Sequence, residues 1–91
     1  MNTDGASIRT LKTLGHPVRL KIVASLIKQP KCVRDIWGCL GLPQAVISQH
    51  LAMLKDSCII EGKRHGVEMH YTVVSPLAKV IISFLEQQQE V

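Results

Sequence analysis

What reactive chemistry this 91-residue chain has rests on three cysteines, four histidines and a scatter of charges. Cys32, Cys39 and Cys58 are an odd set that makes no disulfide framework. Cys32 and Cys39 fall on one helix face seven residues apart, which puts them about 10 Å apart along the axis. One metal ion cannot bridge that distance within a single chain, and soft metals call for several sulfur ligands together. No paired carboxylates, Gly-rich phosphate loop or nucleophile with an obvious base is present, so the sequence does not read as an enzyme. A different chemistry is written elsewhere. Gln44, Ala45, Ser48 and Gln49 recur at the spacing of one helix face. Gln pairs bidentately with adenine, Ser bonds either partner and Ala offers a methyl to thymine. Lys63, Arg64 and His65 then follow as a short cationic run suited to phosphate.

The whole-chain balance points the same way. Eleven Lys and Arg against seven Asp and Glu leave a formal net charge of +4, which favours an anionic partner. Trp37, Tyr71 and Phe84 are the only aromatic residues, too few to stack the bases of a single strand. They also leave the core to Leu, Ile and Val. Nothing near the start reads as a secretory signal and no apolar run reaches membrane length, so a cytoplasmic protein without membrane contact is expected.

Residues 1–91 have room for one domain with a modest core. Ile8, Leu11 and Leu14 space out a first amphipathic helix over about 6–14, ended by Gly15. His16-Pro17 opens a second, with Val18, Leu20, Ile22, Val23, Leu26 and Ile27 as its apolar stripe. A third is expected over 33–40 with Val33, Ile36, Trp37 and Leu40 inward. Gly41 follows where a helix commonly turns left-handed. A fourth helix over about 44–57 turns Ile47, Leu51 and Leu54 inward. Two strands then span about 59–74, closed by His65-Gly66, with Val67, Met69, Tyr71 and Val73 expected on a buried face. A last helix over about 76–88 lines Leu77, Val80, Ile81, Phe84 and Leu85 along one side. Two helices joined through a Gly turn also occur as plain helical hairpins. A strand pair with cations at its tip, placed directly after the second helix, is what marks a wing.

Several stretches of wording then resemble one family in the right order. Leu14-Gly15-His16-Pro17-Val18-Arg19-Leu20-Lys21-Ile22 is similar to the opening of the second helix in ArsR/SmtB-family bacterial repressors. The run from Leu40 through Gly41, Leu42, Pro43 and Gln44 to Leu51 resembles that family's turn and recognition helix. Leu54 to Ile60 resembles the passage from that helix into the wing. The likeness covers roughly residues 6 to 85.

The resemblance implies a mostly helical α+β fold, a winged helix-turn-helix of order α-α-α-α-β-β-α forming a two-fold dimer. It implies a repressor that binds double-stranded DNA as a homodimer on an inverted repeat; a protein–protein adaptor on the same fold is the alternative. The DNA-binding candidates are Gln44, Ala45, Ser48, Gln49, His50, Lys55, Lys63, Arg64 and His65, with Arg34 a weaker one. For His50, a phosphate contact and a packing role beneath the helix both stay open. The dimer candidates, on the first and last helices, are Ile8, Leu11, Leu77, Ile81, Phe84 and Leu85. Lys31-Cys32-Val33-Arg34-Asp35 resembles the Cys-Val-x-Asp stretch of thiolate-binding members, but Arg34 stands where a second Cys can occur. The last helix lacks the Asp and His that zinc-binding members use. No cofactor is evident, and a metal ion is left open without a complete ligand set. Cys32, beside Lys31 and Arg34, is the candidate sensor thiol; Cys39 and Cys58 read as small buried hydrophobes.

Overall fold

Several helix boundaries of the chain have a local cause. In the computed structural model, which describes residues 5–29 and 31–88, α1 spans Gly5–Leu14 and α2 spans Pro17–Lys28. The side chains of Lys31, Cys32, Val33, Arg34, Trp37 and Cys39 lie outside the described residues, and with them the readings of Val33, Trp37, Arg34, Cys32 and Cys39. Between α1 and α2 the chain is extended at His16 (φ −126°, ψ 128°), and the His16 side chain accepts a hydrogen bond from Val18 N–H. Pro17 takes the first helical position, where a missing N–H costs nothing.

A two-residue strand, β1 (Lys31–Cys32), comes before α3 (Val33–Leu40). Gly41 then reverses the chain at φ +66°, a conformation that only glycine adopts without a Cβ penalty. Pro43 starts α4 (Gln44–Asp56), its carbonyl accepting from Val46 and Ile47 N–H.

The end of α4 is a full Schellman motif. Ile59 N–H donates to Leu54 O at 3.0 Å and Cys58 N–H to Lys55 O at 2.9 Å. The residue in the left-handed position is Cys58 (φ 59°), where glycine is usual. Leu54 and Ile59, fully buried, supply the apolar contact that accompanies the motif. Cys58 is therefore exposed rather than buried. The reading of it as a core hydrophobe fails because a reversing residue at a helix end has its flanks, not itself, in the core.

β2 (Ile60–His65) and β3 (Glu68–Val73) follow, then α5 (Pro76–Gln88). The Ile59 carbonyl accepts from Val74 and Ser75 N–H, and Ser75 Oγ caps α5 through Ala78 N–H at 3.2 Å. The three strands form one antiparallel sheet in the order β1-β3-β2. The hairpin expected from the sequence is thus joined by β1, which two residues carry too little pattern to announce. The turn lies at Gly66-Val67 rather than His65-Gly66, and Gly66 has φ +63°. Positive φ at the first central residue only is the requirement of a II′ turn. This puts Val67, 97% exposed, at the turn and not on the buried face. Being central, β3 is half-buried along most of its length instead of alternating.

The core is aliphatic: Ile22, Val23 and Leu26 of α2, Ile36 of α3, Ile47, Leu51 and Leu54 of α4, with Ile59, Ile60 and Val73 below them. From α5, Ala78 and Ile82 complete it. Neither was assigned inward from the sequence, because Leu77, Val80, Ile81, Phe84 and Leu85 offered a stronger apolar line.

Candidate nucleic-acid interface

The spacing of α4 separates its two faces. Ile47, Leu51 and Leu54 face the core, and this leaves Gln44, Ala45, Ser48, Gln49 and Lys55 exposed on the other side. Apolar residues at i, i+4 and i+7 anchor the helix by one stripe only. Its polar stripe is then held at the surface on a rigid support. His50 lies at the border, half-buried against α2. Its ring meets that of His16 at 4.6 Å between centroids. Burial, then the His16 and Arg19 charges, hold the His50 imidazole below its ordinary pKa.

The hairpin register sorts the cations. Lys63 stands opposite His70 and His65 opposite Glu68, whereas Arg64 stands opposite Met69. Successive residues of a strand point to opposite faces. Lys63 and His65 therefore share one face with His70 and Glu68, where His70 Nε2 lies 3.5 Å from Glu68 Oε1. Arg64 belongs to the other face, with Gly62 and Tyr71. A Cβ at Gly62 would come within 2.9 Å of the Tyr71 ring, so the aromatic ring lies over that glycine. Tyr71 in turn lines a cleft with Ser48, Leu51, Ala52, Lys55 and Asp56 of α4. The cleft joins the helix to the Arg64 face of the hairpin. Lys63, Arg64 and His65, adjacent in sequence, are split by the pleat, and Arg64 is on the recognition-helix side.

Sequence reasoning missed Tyr71 as part of this surface. Its place in an alternating strand suggested core, and only the pairing with Gly62 shows where its ring goes.

A second surface lies on α1 and α5, which pack together. Thr10, Thr13 and Leu14 are the buried residues of α1. Ile8 and Leu11 are left outside, 42% and 55% exposed. On α5, Val80 and Phe84 are 65% and 59% exposed; Leu85 is marginally so, and Leu77 and Ile81 are half-buried.

Among the described residues no group of three or more His, Cys, Asp or Glu is placed to hold a metal ion. At the backbone level Cys32 stands opposite His70 across β1 and β3. No helix among the described residues is long and apolar enough to cross a membrane.

Comparison with known proteins places this geometry. Residues 16–61, from the α2 cap to the second residue of β2, match the model of the bacterial regulatory proteins of the arsR family. The chain is 39% identical over 80 residues to the transcriptional repressor PagR of Bacillus anthracis, covering 87% of this chain and 80% of that one. The crystal structure of PagR superposes with a TM-score of 0.82 at 37% identity, over 88% of this chain and 92% of its own. HlyU from Vibrio cholerae superposes with a TM-score of 0.90 at 27% identity, over 98% of each chain. The matched residues contain the α2 opening, the Gly41 turn, all of α4 and the Schellman exit, which are the features that seat the exposed polar helix. This chain belongs to the arsR family of bacterial regulatory proteins, a family of transcriptional regulators rather than enzymes, and it has their winged helix-turn-helix fold.

Proposed function

We propose that the chain is a transcriptional repressor that binds double-stranded DNA as a homodimer on an inverted repeat. The observation that carries this is the cleft between α4 and the hairpin, with Ser48 and Lys55 on one wall and Tyr71 on the other. In a helix-turn-helix the second helix enters the major groove and its N-terminal residues reach base edges. Gln44, Ala45, Ser48 and Gln49 are those residues, exposed and on one face. Lys55, Arg64 and the Tyr71 hydroxyl are assigned to phosphates beside that groove. Lys63 and His65, on the opposite face of the hairpin, engage DNA only from its far side. His50, turned inward, is assigned to support of the helix.

One helix reads a short half-site, so a two-fold pair is needed to bind tightly. Ile8 and Leu11 of α1 with Val80, Phe84 and Leu85 of α5 form the self-complementary patch, with Leu77 and Ile81 at its edge. A domain of this size gains stability by burying such a patch against a second copy.

Selection from a random duplex library at fixed moderate salt tests the proposal. An enriched inverted repeat with half-site centres roughly 34–36 Å apart, one helical turn, is expected. No enrichment from a folded dimer would overturn the DNA reading and favour a protein-binding adaptor.

A further inference from the structure

Where the recognition helix meets the start of α2, two imidazoles are in contact. His16 Nδ1 accepts the Val18 N–H at 3.1 Å, so in this arrangement that nitrogen carries no hydrogen and the ring is protonated on Nε2 alone. The His50 ring sits 4.6 Å from it, tilted by 49°. Arg19 follows on the same first turn of α2, and its Nε is buried without a hydrogen-bond partner among the described residues. The joint between α2 and α4 thus contains two titratable rings and a buried guanidinium nitrogen that no acceptor among the described residues satisfies.

We propose that the His16–His50 contact is the joint that seats the recognition helix on α2, and that acid opens it, so that DNA affinity falls below neutral pH. The proposal rests on the DNA-binding reading above and adds a regulatory property to the same site. Its physical basis is the set of groups facing His50. His16, the cap of α2, and Arg19 of its first turn act on it, and both disfavour its charged form. Asp35 of α3 and Glu61 of β2, acidic residues on the other elements packed around α4, are not among the charges that act on it. A proton on His50 is thus placed near a guanidinium, and no carboxylate among the described residues is a cause that offsets it. A proton on His16 Nδ1 abolishes the cap of α2, because that nitrogen can then no longer accept from Val18 N–H.

The sign follows from linkage. Burial, His16 and Arg19 depress the folded-state pKa of His50 below 6.5. The folded state therefore binds fewer protons than the unfolded one in the window just below 6.5. The stabilisation is present above that value and is lost as pH falls through the lowered folded pKa. A histidine that simply touched phosphate would act in the opposite direction, since gaining charge tightens DNA binding. The direction of the pH dependence therefore separates a positioning role for His50 from a phosphate contact.

The test uses the duplex recovered by library selection, titrated by fluorescence anisotropy against the wild type and the double variant His16→Asn/His50→Gln. Asn keeps a side-chain cap for α2 and neither new side chain titrates. Between about pH 7.5 and about pH 5.5 the wild type is expected to lose affinity several-fold, in the direction set by the lowered His50 pKa. The double variant should change much less. His65 and His70 are present in both proteins, so their contribution cancels from the comparison. Parallel pH profiles for the two proteins, or a wild type that gains affinity in acid relative to the double variant, would overturn the proposal. Thermal melting without DNA gives an independent reading of the joint. The wild-type Tm should fall across the same window more than that of the double variant, and equal slopes would overturn the joint whatever happens with DNA. If no duplex binds at about pH 7.5, the DNA reading itself fails, and the melting profiles still decide whether the joint exists.

Discussion

α4 and α5 are each 13 residues long and each sets a narrow apolar stripe into the same core. What they leave outside differs. Beside Met53, α4 exposes Gln44, Ala45, Ser48, Gln49 and Lys55; α5 exposes Val80, Phe84 and Leu85 as an apolar strip flanked by the exposed Lys79, Ser83 and Glu86. Residues two apart on a helix lie about 200° around its axis. Ala78 and Ile82 therefore fill the core while Val80 and Phe84 form a second apolar face directly behind them. A polar outer face matches the hydrogen-bonding edges of a groove, and an apolar one matches another apolar face. One small domain thereby carries two surfaces of opposite character, and the contrast points to different partners for each.

Phe84→Asp is expected to have the largest effect. A two-fold interface counts each substitution twice, and a buried Phe contributes about 1.5–3 kcal/mol. The loss is then roughly 3–6 kcal/mol of association, read as a shift from dimer to monomer in sedimentation with the helical circular-dichroism signal retained. A dimer that survives would remove α5 from the interface.

Gln44→Ala with Ser48→Ala should strike only the other surface. Each good bidentate contact supplies about 1–3 kcal/mol of base discrimination. Competition between the selected duplex and scrambled sequence should therefore flatten, with the dimer and its Tm unchanged. Retained preference would take base reading away from α4.

A finer cut lies within the hairpin. Arg64→Ala should reduce the slope of log affinity against log salt by about one unit, while Lys63→Ala should change it less. Equal effects would mean that the pleat does not separate the two cations at the DNA.

The smallest expected effect is a control away from the exposed polar face of α4. Cys58→Gly relieves a left-handed residue at the α4 Schellman turn, which costs roughly 1–2 kcal/mol in an L-residue with a Cβ. A stabilisation of up to about 1 kcal/mol, or a Tm rise of several degrees, should appear with DNA binding unaltered, since the extra backbone freedom of glycine in the unfolded chain takes back part of the gain.

Some of this was legible from the residues in order. α3 spans the residues that the apolar spacing predicted, and α4 ends within a residue of its expected close. Helix periodicity over roughly two to four turns, with Gly41 and Pro43 as punctuation, leaves few alternatives. The exposed polar stripe of α4 was equally readable, since it is the complement of Ile47, Leu51 and Leu54. Local rules failed where two elements share a residue's environment. The two residues of β1 hold no pattern, and their pairing with Tyr71 and His70 exists only once the hairpin is in place. The apolar line of α5 contained residues for two surfaces, and no periodicity says which of them faces the core.

The order of amino acids by itself determined the helices, the left-handed turn at Gly41, the wing that follows α4 and the family to which the chain belongs. Each of these depends on interactions between residues a few positions apart. Tertiary structure alone decided that the pleat sets Arg64 apart from Lys63, that Tyr71 covers Gly62 beside the recognition helix, and that His50 meets His16. It also decided which apolar face of α5 remains open. These outcomes depend on register and packing between segments distant in the chain, where a shift of one residue moves a side chain to the opposite face.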